Sequence, residues 1–315
     1  MDLRQLRYFV AIVESGSIKR AAMSLYVAQP SLSQHVRNLE EELGVTLLTR
    51  SARGVSPTEA GVELLGYARS ILSQLEQARE ALRAGSVDPH GSVRLGLPNS
   101  VSLVLGVPLV EMAHHELPNV SLRVVESMSG YILDWLRAGQ LDLAMLYGVQ
   151  RSPGISARQL LTEDLYLVSL PGAGRDDETV DMQELERFEL ILPARPHGLR
   201  ELVEKAARDN GVRLWIRTEI DALTQIKALV RRGLGQAVLS HSAVYEELSR
   251  GELVARRIVN PAIDRTVYVA EPSDRPISHA ARAVAELLTH CARGLVEDGR
   301  WRGELCDTQG YAAKR

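Results

Sequence analysis

The chain has 315 residues, enough for two or three domains at roughly 100–200 residues each, and its 45% hydrophobic and 24% charged content is that of a globular protein. A formal net charge of −3 supplies no overall basic surface, so any contact with nucleic acid has to rest on a local patch. Two cysteines, Cys291 and Cys306, exclude a disulfide framework and a thiolate metal site, and the apolar run around residues 101–110 is short of a membrane span and contains Pro108.

The first segment, MDLRQLRYFVAIVE, lacks the basic start, apolar run and small-residue cleavage site of an export signal, so a reducing cytoplasm is the expected location. Leu3, Leu6, Val10 and Val13 fall on one helical face, and Gly16 stops that helix. Ser17 is placed to cap a second helix over residues 18–26, whose Ala21–Ala22 pair lets another helix approach closely. Gln29 precedes Pro30, a residue favoured at the first helical position. The third helix then runs to Gly44, with Leu32, Val36, Leu39 and Leu43 inward and Ser31, Ser33, Gln34, Arg37 and Asn38 outward.

An apolar rear face with a hydrogen-bonding front face is what a DNA recognition helix requires. A glutamine carboxamide matches the major-groove edge of adenine, and an arginine that of guanine. A generic amphipathic helix with a solvated face is the alternative. Close coupling to a second helix with small residues at the crossing favours the helix-turn-helix. In VTLLTRSARGVSPTEAG, Val45, Leu47 and Leu48 are apolar anchors, Arg50 and Arg53 flank a turn, and Thr58 precedes the next helix. This predicts a wing with its arginines toward phosphates or the minor groove. Seven basic and six acidic residues up to Gly61 nearly cancel, so Glu40, Glu41 and Glu42 have to lie away from DNA.

The stretch LRYFVAIVESGSIKRAAMSLYVAQPSLSQHVRNLEEELGVTLLTRSARGVSPTEAG resembles the LysR-type transcriptional regulators almost end to end. The helix pair, the Gln-Pro-Ser-Leu-Ser start, the Leu-Glu-x-Glu-Leu-Gly close and the Thr-x-Ala-Gly exit all match, with Leu48 standing where that family usually has phenylalanine. DNA-facing roles for Gln29, Ser31, Ser33, Gln34, Arg37, Arg50, Arg53 and Thr58 follow as expectations.

Residues 59–84 read as one long helix. Leu64, Ile71 and Ala78 share one heptad position, Ala68, Leu75 and Leu82 another, and Leu65 and Leu72 widen the stripe. Either this stripe packs on the chain's own domain or it is a dimer seam. The resemblance implies the seam, a tetramer built as a dimer of dimers, binding to double-stranded promoter DNA and contact with RNA polymerase. A turn-rich GSVDPHG at residues 85–91 reads as a hinge.

From Gly91 strands and helices alternate, which predicts α/β architecture with largely parallel sheets. The strands are SVRLGLP, residues 120–125, LDLAMLY, 165–170, FELILP, 214–219 and 236–239, and a strand at 265–271 with a helix from Ile277 return to the first half. ESMSGYILDWLRAGQLDLAM and LVRRGLGQAVLS match the LysR-type sensor region, whose resemblance to periplasmic binding proteins implies two lobes around a cleft; the usual proline after the second motif is Ser240 here. LYGVQRSPGISARQLLTEDLYLV and EIDALTQIKALVRRGLGQAVLS bring the chain nearest the nitrogen assimilation control branch.

The expected organisation is α+β and multidomain: a winged helix-turn-helix at 1–58, a linker helix and hinge at 59–90, and a two-lobed sensor at 91–300. Lobe I takes 91–162 and 265–293, lobe II takes 163–264, and a tail covers 301–315, with weak periodicity and fraying expected from Gly294. Ser100, Ser102, Ser129, Arg195 and His197 are the candidate effector-binding residues, because hydroxyls and open helix N–H groups suit a small polar or anionic molecule. Ordinary helix capping, or a cleft with no ligand and control by abundance, are the alternatives. Gly233–Gly235 is no dinucleotide fingerprint, adjacent His114 and His115 point to different helix sides, and HExxH, GxSxG and P-loop motifs are absent. No enzyme, cofactor, metal or membrane partner is expected. A solute-binding protein, the more distant reading, needs an export signal.

Overall fold

The computed structural model describes residues 1–51, 54–83, 88–148, 152–172 and 178–306. The chain forms two compact units, 1–87 with 135–141, and 88–134 with 142–315.

In the first unit, α1 (Leu3–Ser15) begins at a reciprocal cap between Asp2 and Gln5 and ends at Gly16, whose φ of 62° is open to glycine. Ser17 caps α2 (Ile18–Ser24), and α3 (Gln29–Leu43) starts with proline in its first turn and stops at Gly44. Strands β1 (Leu48–Ser51) and β2 (Gly54–Pro57) pair antiparallel as a hairpin and lead into α4 (Glu59–Arg83). The core gathers Leu6, Phe9 and Ile12 of α1, Ala21 and Ala22 of α2, Leu32, Val36 and Leu39 of α3, and Leu47 and Leu48.

Three details depart from the sequence reading. The inward arc of α1 is centred on Phe9, with Val10 and Val13 only partly buried and Leu3 exposed, because α2, α3 and α4 all pack on this helix. Leu43 and Val45 are 40% and 44% exposed, since the last turn of α3 runs past the core. On α4, Leu64, Leu65, Ala68 and Leu72 join the unit's own core, leaving Ile71 and Ala78 exposed and Leu75 half-buried. Half of the heptad stripe is thus consumed inside the chain.

In the second unit, β3 (Gly91–Pro98), α5 (Asn99–Glu116), β4 (Val120–Ser127), α6 (Ser129–Arg137) and β5 (Leu143–Tyr147) build one lobe, with β3 parallel to both β4 and β5. The long strand β6 (Ile155–Ser169) then crosses into the other lobe. There follow β7 (Thr179–Asp181), a 3₁₀ turn, β8 (Glu189–Leu192), α7 (Gly198–Asp209), β9 (Trp215–Glu219), α8 (Leu223–Arg231), β10 (Ala237–Ser240), α9 (His241–Ser249) and β11 (Val254–Val259). Strand β12 (Asp264–Pro272) returns antiparallel to β6, and α10 (His279–Glu297) closes the first lobe.

The sheet is mixed and not largely parallel. β10 and β11 pair antiparallel with the second half of β6, and β12 pairs antiparallel with β5 and with the first half of β6. A strand that crosses and a strand that returns necessarily run in opposite senses. The two lobe cores part between Leu161 and Leu165 on β6 and between Ile263 and Val267 on the way back. Residues from Gly294, expected to fray, are packed as far as Cys306. α10 continues to Glu297, Trp301 is wholly buried in the first lobe's core, and β13 (Glu304–Leu305) pairs with β6.

Candidate functional site

The outer face of α3 carries the expected side chains. Gln29, Ser31, Gln34, Arg37 and Asn38 are exposed and Ser33 is half-buried. Gln34 Nε2 donates to Asn38 Oδ1 at 2.7 Å, and Arg37 Nη2 donates to Gln34 Oε1 at 3.0 Å, so three polar groups at helical spacing form one linked row. His35 is turned the other way, edge-on to Tyr8 with ring centroids 5.1 Å apart. The N-cap position of α3 is Ala28, which provides no side-chain bond, so the first-turn N–H groups stay open to an anion such as a phosphate.

The hairpin after α3 places Arg50 exposed on β1. Arg53 lies outside the described residues. Thr58 departs from the expectation of a DNA contact: its hydroxyl donates to Thr46 O at 2.7 Å and accepts from Gly61 N at 3.0 Å, capping α4. Gly61 itself admits no side chain, since a Cβ there would lie 2.1 Å from Leu47 O. Glu40 was hidden within an acidic run, yet its Oε1 accepts from Leu47 N and Leu48 N at 2.8 and 3.1 Å. That carboxylate fixes the entry to the hairpin relative to α3.

Between the lobes of the second unit lies a cleft of about 950 Å³, lined by Ser100, Ser129, His197, Ser240 and Arg265 among others. Ser100 Oγ is 2.9 Å from Tyr147 OH and accepts from Arg265 Nη2 at 3.1 Å. Ser129 Oγ accepts from Tyr147 N at 3.2 Å. His197 caps α7, its Nδ1 accepting from Leu199 N at 3.2 Å. Burial pushes its imidazole below the usual range, and Arg265 pushes the same way, so it brings no positive charge to the cleft at neutral pH.

Two expected members are elsewhere. Ser102 does not line the cleft, because two residues along a helix turn the side chain by about 200° from Ser100. Arg195 does not line it either: its Nε and Nη2 hold Glu204 Oε2 at 2.9 and 2.6 Å on the surface of α7.

A buried polar network that the residue patterns did not disclose sits at the cleft floor. Glu163 on β6 is 1% exposed. It accepts from Tyr147 OH at 2.9 Å, Arg265 Nε at 2.9 Å, Ser242 Oγ at 3.1 Å and Trp301 Nε1 at 2.7 Å. Arg265 on β12 also donates to Ser240 Oγ at 3.0 Å and stacks over the Tyr147 ring, 3.7 Å from its centroid. Burial pushes the Tyr147 phenol well up, which keeps it a donor to Glu163. Both crossing strands and both lobes therefore converge on one ion pair. Ser240, the departure from the usual proline, supplies a hydroxyl to it. A glutamate and an arginine interrupting the apolar strands LLTEDLYLV and DRTVYVA were the available signal.

Residues 3–62 match the family model "Bacterial regulatory helix-turn-helix protein, lysR family", and residues 86–292 match "LysR substrate binding domain". The nitrogen assimilation regulatory protein nac of Klebsiella aerogenes is 38% identical over 294 residues, 91% of this chain and 94% of that protein. Its namesake from Escherichia coli (strain K12) is 34% identical over 292 residues, with the same shares of 91% and 94%. A variant of full-length OxyR from Pseudomonas aeruginosa matches in structure with a TM-score of 0.77 at 26% identity, covering 98% of this chain and 99% of that one. CbnR complexed with its target DNA shares the fold at a TM-score of 0.68 and 22% identity, over 93% of this chain and 99% of that one. With both family models matched in order and relatives above 30% identity along nearly the whole length, the chain belongs to the LysR family of DNA-binding transcriptional regulators.

Proposed function

We propose that this regulator reads promoter DNA through the outer face of α3, acts in the cytoplasm as a dimer of dimers that contacts RNA polymerase, performs no catalysis, and takes a small polar or anionic effector in its interlobe cleft. The linked row Gln34, Arg37 and Asn38 carries the reading, because it presents amide and guanidinium groups on the helix that the family model matches. The direct experiment is a gel shift against DNA upstream of the regulator's own gene, with random DNA of equal length as competitor. Equal binding to both sinks the specific-regulator reading.

Arg50 is assigned to the phosphate backbone from its exposed place on the hairpin. Arg50→Ala is expected to weaken all DNA sequences alike and to reduce the slope of log K against log[salt] by about one unit for each phosphate the arginine neutralises. An unchanged slope removes it from the interface.

Self-association is assigned to the part of α4 that its own core leaves uncovered, Ile71, Leu75 and Ala78. Ile71→Asp in the full chain places a charge in an apolar seam, where burial is costly. Sedimentation is expected to show a smaller species than the wild type. An unchanged species places the seam elsewhere.

A second reading, control by abundance without an effector, is favoured by the cleft floor. Arg265 is already satisfied by Glu163, Ser100 and Ser240, so this cation has internal partners in place of a ligand.

A further inference from the structure

The charges around the cleft do not suit a simple anion. Three helices of 18, 9 and 12 residues, α5, α6 and α7, begin at its wall, through Asn99, Ser129 and Gly198. The N-cap of α5 is Pro98, which offers no side-chain acceptor, so open N–H groups and a partial positive charge face the cleft. The ionisable lining points the other way. Asp134, Glu201, Asp221 and Asp264 stand against Lys205 and Arg265, and Arg265 is neutralised from below by Glu163. Asp221 accepts from Ala194 N. Glu201 and Asp264 have no ion pair among the described residues and are exposed. A purely anionic ligand meets a carboxylate wall, and a purely cationic one meets the helix N-termini.

A further group is left over. Asn99, the first residue of α5, lines the cleft, and its side-chain amide makes no hydrogen bond among the described residues, its Oδ1 being buried. Leaving such a group unmade is costly, and a carboxamide serves both an N–H donor and an oxygen acceptor on the same ligand. Beside it stands Arg265, whose side chain is only 10% exposed and is fixed by Ser100 and Ser240.

We infer that the cleft takes a zwitterion of the α-amino acid type, its carboxylate at the starts of α5 and α6 beside Ser100 and Ser129, its ammonium toward Asp264 and Glu201, and the Asn99 carboxamide engaging it between the two. This rests on the reading of the cleft as an effector site and names the ligand class for it. The cleft's volume of about 950 Å³ exceeds what the ammonium and carboxylate need, so a side chain has room among Tyr131, Tyr268 and Leu202.

The test uses the full chain and three matched sets of probes: the proteinogenic amino acids, the carboxylic acids lacking the amino group, and the amines lacking the carboxylate. Thermal shift screens the sets, and calorimetric titration measures any hit. The expected result is at least one amino acid whose acid and amine analogues bind more weakly by about tenfold or more. Asp264→Asn and, separately, Glu201→Gln are expected to weaken the amino acid by about tenfold while the acid analogue binds the same or better. Asn99→Ala is expected to weaken the amino acid as well. Acid or amine analogues that bind as tightly as the amino acid overturn the zwitterion. So does a response confined to a control panel of dicarboxylates, phosphorylated metabolites and polyamines, which leaves the effector reading standing. Silence from every probe overturns both.

Discussion

Glu163→Ala is expected to destabilise the second unit by about 3–5 kcal/mol, the range for removing one partner of a buried ion pair. The carboxylate is 1% exposed and its loss strands the Arg265 guanidinium, the Tyr147 and Ser242 hydroxyls and the Trp301 indole N–H together. The cost arises less from the lost attraction than from donors left without acceptors in a low dielectric. Because Arg265 borders the cleft, water can reach part of it, which favours the lower end of the range. Denaturant unfolding of the full chain checks the number. Glu163→Gln keeps an acceptor oxygen and is expected to fall between the wild type and alanine. Removing both charges at once, with Glu163→Leu and Arg265→Met, is expected to recover much of the loss, as apolar replacements of buried pairs often do. A loss under about 1 kcal/mol for alanine, the size of an exposed ion pair, would mean the network is not holding the lobes.

The elements were legible because their punctuation is local. Gly16, Ser17, Pro30 and Gly44 bound α1, α2 and α3 within a residue or two, and α4 runs over 59–83 as its periodicity predicted. The rotation of α1 was not legible, because Leu3, Val10 and Val13 are as apolar as Phe9 and Ile12 and only the placement of three neighbouring helices chooses among them. The α9 helix and β11 were missed, as short elements with weak alternation between two stronger strands.

At the cleft, serines near helix starts were visible but their direction was not. Ser100 and Ser129 point into the cleft's polar groups, while Ser102, two positions further along α5, does not line it. Arg195 looked unpaired because Glu204, nine residues later, meets it only once α7 is wound. Glu163 and Arg265 lie 102 positions apart, and no local pattern joins them. Their pairing is a product of two strands crossing between lobes, which topology supplies and periodicity does not.

On the DNA-facing side, Gln34→Ala and Ser33→Ala are expected to reduce binding to the cognate operator far more than binding to unrelated DNA. Gln34 is exposed near the start of α3, where a side chain reaches base edges when the helix lies in the major groove. Its carboxamide is already oriented by Arg37 and Asn38, so less side-chain freedom is lost on docking than for an unrestrained glutamine. A bidentate base contact is worth about 1–3 kcal/mol of discrimination, so removing Gln34 from each protomer should lower cognate affinity by roughly 5- to 150-fold. Alanine at 34 also releases Arg37, whose guanidinium loses its 3.0 Å bond to Gln34 Oε1. Specificity at the base pair under Arg37 is therefore expected to relax too, whereas Ser33→Ala, at a half-buried position with no such linkage, should act at one position alone. Fluorescence anisotropy with an operator located by footprinting, set against a scrambled duplex at the same salt, separates the two terms, since the phosphate contribution is common to both. Equal losses on cognate and scrambled DNA would mean that the front of α3 faces the backbone, and that base reading has to come from another element.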